Sequence, residues 1–265
     1  MKNLTIGLNA RKEVAMRPKN IEPKDRIILP LDMSNVRSAF ILAEKLKNHV
    51  GIFKIGLEFI YSTIGFMMTN PTGAAAYFSE VSRLIEIVGP RRIFLDGKFD
   101  DIPNTIAEAS RAVATMKPMF FNVHASAGIE SIRAAVKNRG ESMVLGVTVL
   151  TSIEPDECIS IFGSYPGSKV LDFVGMLEKA QAHGVICSPK EVALIRENSC
   201  YDQMTLVTPG TRPTWASTND QKRVMTPREA IKAGADYIVC GRPITNYADP
   251  VEGAKLVAGE MEEAS

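Results

Sequence analysis

Residues 96 to 101 carry Asp96, Lys98, Asp100 and Asp101 directly after the apolar run Ile93-Phe94-Leu95. An ammonium set among carboxylates can steady negative charge that develops on a bound molecule, or deliver a proton to it. Two more charged residues follow apolar stretches in the same way: Lys54 inside GIFKIG and Asp32 after RIILPL. Alternation along a strand puts Ile52, Lys54 and Gly56 on one face, and Asp96 with Lys98 on one face of the next strand. An unpaired buried ammonium costs several kcal/mol, on the order of a lost core side chain, so Lys54 calls for a carboxylate. Asp96 and Asp32 are the partners within reach if successive strands are neighbours. The expectation is a chain of alternating sign, Asp32–Lys54–Asp96–Lys98. A purely structural ion network would use the same residues. Asp101, before Ile102-Pro103, also fits a helix N-cap with proline near the first turn.

The elements that position these groups come in a regular series. Eight short apolar segments, near 26–32, 51–56, 91–97, 118–125, 143–150, 184–188, 204–209 and 236–241, are each followed by a segment of helical spacing. Continuous apolar strands alternating with helices imply a parallel sheet covered on both faces. Eight units in about 240 residues fit a single-domain (β/α)8 TIM barrel, with an open doubly wound sheet as the alternative. No GxGxxG follows the first strand, which counts against a dinucleotide fold. In a barrel, chemistry gathers at the C-terminal ends of the strands. Asp32, Lys54, Asp96, Lys98, Asn122, His124, Thr151, Ser152, Gly241 and Arg242 all fall there. Pro30 removes a donor from the first strand and predicts a local irregularity. Residues 1–24 carry six basic side chains with little periodicity and are expected to lie outside the core, with the catalytic barrel over 25–265.

Bulk properties exclude several function classes. Lys and Arg number 31 against 30 Asp and Glu, so nothing points to nucleic acid or a polybasic membrane patch. Four cysteines without a CxxC pair imply reduced thiols in the cytoplasm and no structural zinc. No apolar stretch approaches the roughly 20 residues needed to cross a bilayer, and no secretory signal is expected.

Asp96, Lys98, Asp101, Ile102, Pro103, Asn104 and Thr105 together form D-x-K-x-x-D-I-P-N-T, which resembles the signature of the orotidine 5′-phosphate decarboxylase family. NVHAS (122–126), VTVLTS (147–152), LVTPGTRP (206–213), DQKRVMTP (220–227) and GRPIT (241–245) fall in that family's order. The resemblance spans roughly 26–262. Gly97 stands where a larger apolar residue is common, and neither Pro30 nor the basic extension belongs to the pattern.

The resemblance implies decarboxylation of orotidine 5′-monophosphate to uridine 5′-monophosphate, the last step of de novo pyrimidine synthesis, without metal or cofactor. It implies that Lys98 stabilises and protonates the C6 carbanion, with Asp96 beside the departing carboxylate. Asp32 and Lys54 would meet the ribose hydroxyls, and Thr151 and Ser152 the pyrimidine edge. Gly241 and Arg242 would hold the phosphate, with Pro209, Arg212 and Gln221 in a loop folding over the nucleotide. Asp101, Ile102 and Thr105 would complete the site of the partner in a homodimer. A metal-dependent decarboxylase of keto-sugar phosphates, a Schiff-base aldolase and a non-catalytic nucleotide-binding module are the competing readings.

Overall fold

The computed structural model describes residues 17–18, 21–216 and 225–262. Its strands are β1 (Ile27–Pro30), β2 (Ile52–Ile55), β3 (Ile93–Phe99), β4 (Phe120–His124), β5 (Met143–Val147), β6 (Gly184–Ile186), β7 (Thr205–Pro209) and β8 (Tyr237–Val239). All pair in parallel, each with its sequence neighbour, and β8 pairs with β1 through Ile27↔Ile238 and Ile28↔Val239. That last pairing closes a (β/α)8 barrel and removes the open-sheet alternative.

Alternation sorts the strand residues into two layers. Leu29, Phe53, Phe121, Val144, Val185 and Leu206 face outward into the large core beneath the helices. Ile28, Ile52, Phe94, Phe120, Leu145, Val207 and Tyr237 face inward and fill the barrel. Phe120 stands edge-on to both Phe94 and Tyr237, with centroids 6.0 and 5.4 Å apart. The interior is therefore a packed plug, and a ligand can enter only above it.

Helices α1 (Val36–Leu46), α2 (Leu57–Thr69), α3 (Ala74–Val88), α4 (Pro103–Thr115), α5 (Ile129–Lys137), α7 (Pro166–Lys179) and α11 (Pro250–Glu262) are the longer elements of the outer ring. α1 starts where the Asn35 side chain accepts from the N–H groups of Arg37 and Ser38, satisfying two orphan donors of its first turn. The helical region between β2 and β3 divides into α2 and α3, because Asn70-Pro71 cannot continue a helix. The connection between β5 and β6 contains α6 (Pro155–Phe162) as well as α7, which begins at Pro166. α8 (Val192–Arg196), α9 (Pro227–Lys232) and α10 (Arg242–Thr245) are short. Asp101 is not a helix N-cap: Ile102 holds that position in α4, and among the described residues the Asp101 carboxylate accepts only from the adjacent Ile102 N–H.

Pro30 does produce the expected irregularity. Cys240 N–H donates to Ile28 O at 3.1 Å, so the next rung of a parallel ladder would run from residue 30 to Cys240 O. Proline has no N–H to make it. On the other side β1 stays paired with β2, where Leu31 N–H reaches Lys54 O at 2.8 Å. At the opposite end, Ile21 packs against the barrel plug and the Arg17 guanidinium pairs with buried Asp236 at 2.7 Å. The described part of the basic segment thus lies against the barrel floor.

Candidate active site

A cavity of about 430 Å³ opens above the plug at the C-terminal ends of the strands. Its floor follows from the strand period. Stepping two residues beyond each plug position gives Lys54, Asp96 and Asn122 on β2 to β4 and Pro30, Val147, Pro209 and Val239 on β1, β5, β7 and β8, while Ile186, two beyond Gly184, completes the ring on β6. One side of the floor is charged and polar, and the rest is apolar. A ligand seated there meets fixed charge at one edge and a dry wall elsewhere.

The charges meet as their spacing predicts. Lys54 Nζ lies 2.9 Å from Asp32 Oδ1 and 3.0 Å from Asp96 Oδ2, while Lys98 Nζ lies 2.6 Å from Asp96 Oδ1. Lys54 and Asp96 are 9% and 6% exposed, so this pair sits away from bulk solvent. Burial works against the charged form of each. For Lys54 the carboxylates of Asp96 and Asp32 outweigh it and raise the amine above its ordinary value. For Asp96 the two ammonium groups, with hydrogen bonds from Lys98 and Asn122, outweigh it and hold the carboxyl below its ordinary value. Both groups are charged at neutral pH.

Two features of this cluster depend on close approach. Gly56 lies on the same face as Lys54, and a Cβ there would stand 2.6 Å from Asp32 Oδ1 and 2.7 Å from Lys54 Nζ. The space glycine leaves empty is where the ion pair forms. Lys98 has φ +48°, a left-handed conformation that costs a lysine roughly 1–2 kcal/mol. It sits where the β3–β4 register shifts, between the Leu95↔Phe121 and Phe99↔Val123 pairs. Simple alternation therefore does not explain why Lys98 and Asp96 share a side. A local kink turns the lysine inward.

In the sequence Asn122 shows only as a polar residue at a strand end. It is fully buried, its Oδ1 accepts the Lys98 N–H at 2.7 Å, and its Nδ2 donates to Asp96 Oδ1 at 2.6 Å. The two-residue step that leads from Phe94 to Asp96 leads equally from Phe120 to Asn122. His124, two residues on, does not line the cavity; its pKa is lowered by burial and by Lys98, against Asp100 and Asp96, so it is neutral at pH 7.

The other expected residues divide into two groups. Thr151 and Ser152 after β5, Pro209 and Arg212 after β7, and Gly241 and Arg242 after β8 all line the cavity. A Cβ on Gly241 would press to 2.8 Å from Pro30 Cγ, so this turn too needs a glycine. Arg212 N–H bonds to Met225 O at 2.9 Å and ties together the two ends of the long loop. Gln221 lies outside the described residues. Asp101, Ile102 and Thr105 are exposed and do not line their own cavity, and Ile102 is 65% exposed despite its apolar side chain. Among the described residues, no cluster of three or more His, Cys, Asp or Glu side chains could hold a metal ion.

Comparison with known proteins gives the same picture. The chain is 39% identical over 256 residues to the orotidine 5′-phosphate decarboxylase of Syntrophomonas wolfei, covering 92% of this chain and all of that one. It is 41% identical over 248 residues to that of Rhodospirillum rubrum, covering 89% and 93%. Its fold superposes on the crystal structure of orotidine 5′-phosphate decarboxylase from Lactobacillus acidophilus with a TM-score of 0.71 and 30% identity, over 89% of this chain and 98% of that one. A family model matches residues 25–257, from the turn before β1 into α11. The barrel, the lysine–aspartate floor and these matches together place the chain in the orotidine 5′-phosphate decarboxylase / HUMPS family.

Proposed function

We infer that this protein releases CO2 from orotidine 5′-monophosphate to give uridine 5′-monophosphate, within pyrimidine biosynthesis. The observation that carries the chemistry is the Lys54–Asp96–Lys98 row on the floor of the cavity. In the reaction the C6–carboxylate bond breaks and its electron pair stays on C6, in the ring plane, where no carbonyl delocalises it. A proton from the Lys98 ammonium then forms the C6–H bond, and the amine takes a proton back from water. A cation about 4 Å from such a carbanion contributes about 4 kcal/mol at an effective dielectric of 20, worth roughly a thousandfold in rate. Asp96, facing the substrate carboxylate, adds a repulsion of similar size that ends as CO2 departs. We assign the larger share to Lys98, because a charge fixed by an ion pair needs no reorganisation when the carbanion forms.

The rest of the cavity divides the nucleotide. Asp32 and Lys54 meet the ribose hydroxyls, and Thr151 and Ser152 the pyrimidine edge. Gly241 and Arg242 bind the phosphate, with Pro209, Arg212 and Gln221 supplied by the covering loop. The chemistry assigned to these side chains requires no metal and no cofactor. Asp101, Ile102 and Thr105 serve the cavity of a second subunit in a homodimer, a reading supported by the exposure of apolar Ile102 at the mouth. All four cysteines are free thiols, which suits a cytoplasmic enzyme, and no helix among the described residues is long and apolar enough to cross a membrane.

The test is loss of orotidine monophosphate absorbance on adding metal-free protein, absent in Lys98→Ala. Mixed Lys98→Ala and Asp101→Ala subunits should recover activity, since each heterodimer then has one intact site. No recovery after proven subunit exchange rules out the shared site. Borohydride trapping with a carbonyl substrate would instead indicate Schiff-base chemistry.

A further inference from the structure

We propose that Asn122 is a positioning residue for the reaction: its carboxamide holds Lys98 in the left-handed conformation and fixes the carboxylate of Asp96. The proposal rests on the role assigned above to Lys98. Between the Leu95↔Phe121 and Phe99↔Val123 pairs, β3 advances four residues while β4 advances two. The main chain of β4 cannot pair every group of the longer segment. The Lys98 N–H falls in this gap, and Asn122 Oδ1 accepts it at 2.7 Å in place of a backbone carbonyl. The other end of the same amide donates to Asp96 Oδ1 at 2.6 Å.

That oxygen also receives Lys98 Nζ, and Asp96 Oδ2 receives Lys54 Nζ. Donors from three adjacent strands therefore set the plane of one carboxylate. Asn122 is fully buried, so neither of its bonds is shared with bulk water. A short planar group with an acceptor on one side and a donor on the other is required, and asparagine supplies it. Asn122 thus joins a strained backbone to the carboxylate that holds the ammonium.

Two substitutions separate this role from simple packing. Asn122→Ala removes both bonds at every pH. Asn122→Asp keeps the shape and the acceptor but faces Asp96 with a second carboxylate. The charged groups around it are Asp96 and Lys98 on β3, Lys54 on β2, Asp32 after β1 and His124 on β4; β5 carries none. Like charge raises the proton affinity of the carboxyl pair. Once protonated, the new carboxyl again donates to Asp96 while its carbonyl accepts from Lys98, which restores the pattern of the amide.

Steady-state kinetics, calorimetric binding of uridine monophosphate and thermal melting should be measured on wild type, both variants and Lys98→Ala. The expected result for Asn122→Ala is a fall in kcat of about a hundredfold, the scale of a misplaced catalytic group, with product affinity changed less than about threefold. For Asn122→Asp, kcat relative to wild type should climb as the pH is lowered from about 8 to about 6. The proposal is overturned if Asn122→Ala keeps kcat within about threefold of wild type, or if kcat and product affinity fall together. It is equally overturned if Asn122→Asp tracks Asn122→Ala at every pH, or if both variants fail to fold. An active Lys98→Ala would instead remove the assignment of Lys98. An inactive Lys98→Ala beside an unimpaired Asn122→Ala removes this inference alone.

Discussion

Replacing Asp96 with asparagine tests whether the floor of the cavity is an ion network or only a set of polar contacts. Asp96 accepts from three donors: Lys98 Nζ and Asn122 Nδ2 at Oδ1, and Lys54 Nζ at Oδ2. An asparagine has one acceptor oxygen, so at least one donor would face its NH2. The Lys54–Asp96 attraction at 3.0 Å is about 5.5 kcal/mol at an effective dielectric of 20, but desolvation of both groups offsets much of it. Removing one member of a buried pair costs about 3–5 kcal/mol, because the other charge stays buried. Asp32 remains beside Lys54, but its side chain is 47% exposed and screened, so it compensates only in part. At roughly 2.1 cal/mol/K per residue, that loss lowers the melting temperature of this 265-residue chain by about 5–9 °C.

The pH dependence has a definite sign. In wild type the carboxylates raise the Lys54 amine against burial. Without Asp96, burial prevails and the folded-state value falls below the unfolded one. A lysine of that kind penalises the fold most at neutral pH, and the penalty shrinks as the pH rises toward the unfolded pKa of about 10.4. Melting by differential scanning fluorimetry from about pH 7 to 9.5 should show the gap between variant and wild type narrowing. Turnover of orotidine monophosphate, read by absorbance, should fall alongside. An Asp96→Asn protein as stable as wild type at pH 7, or a gap that stays constant with pH, would refute the reasoning.

Two further outcomes follow from single side chains. Gly56→Ala sets a methyl group 2.6 Å from Asp32 Oδ1 and 2.7 Å from Lys54 Nζ, so the 2.9 Å pair must open. Its backbone, at φ −99° and ψ −176°, accepts any residue, so melting should hold. Product affinity measured by calorimetry should weaken about tenfold, with KM rising more than kcat falls; unchanged affinity would show that this pair does not touch the ribose. His183 is buried, with Nδ1 accepting from Val144 N–H, and burial followed by Arg139 lowers its pKa to about 4. A histidine depressed in the fold contributes stability that is present above its unfolded pKa of about 6.5 and is lost as the pH falls toward 4. The loss is about 3 kcal/mol. Urea unfolding between pH 7 and 4 should show this slope and show less of it in His183→Leu; an identical slope in both proteins would remove His183 as its cause.

Much of the site was legible in the sequence because β-structure has a short, fixed period. Lys54 follows Ile52 and Asp96 follows Phe94 by two residues, and in each pair the first residue is part of the plug. A charge at that step has to face the cavity, and a buried lysine has to find an acid. Asp32 and the residues after β5, β7 and β8 could be placed because connections in a barrel return each strand beside its neighbour. Alternation also expects Lys98 beside Asp96, and the two do meet, but it does not show the backbone conformation that brings this about at Lys98. Its left-handed backbone and the shifted register break the period, and that break depends on β4 rather than on β3 alone. The Asp101 N-cap failed for a related reason: local propensity named a plausible cap, but the N-cap is one residue later, at Ile102, and the helix begins at Pro103.

The sequence by itself determined the order of strands and helices, the plug and the row of opposite charges, since each is set by residue type within a few positions. Tertiary structure alone decided between the closed barrel and the open sheet by pairing β8 with β1, placed the expected irregularity of Pro30 on the β1–β8 ladder, bridged Lys98 to Asp96 through Asn122, and let Gly56 leave room for an ion pair. Each of these joins residues brought together by closure of the barrel. Their energies depend on distances of a few ångströms, and residue type and spacing along the chain do not specify those distances.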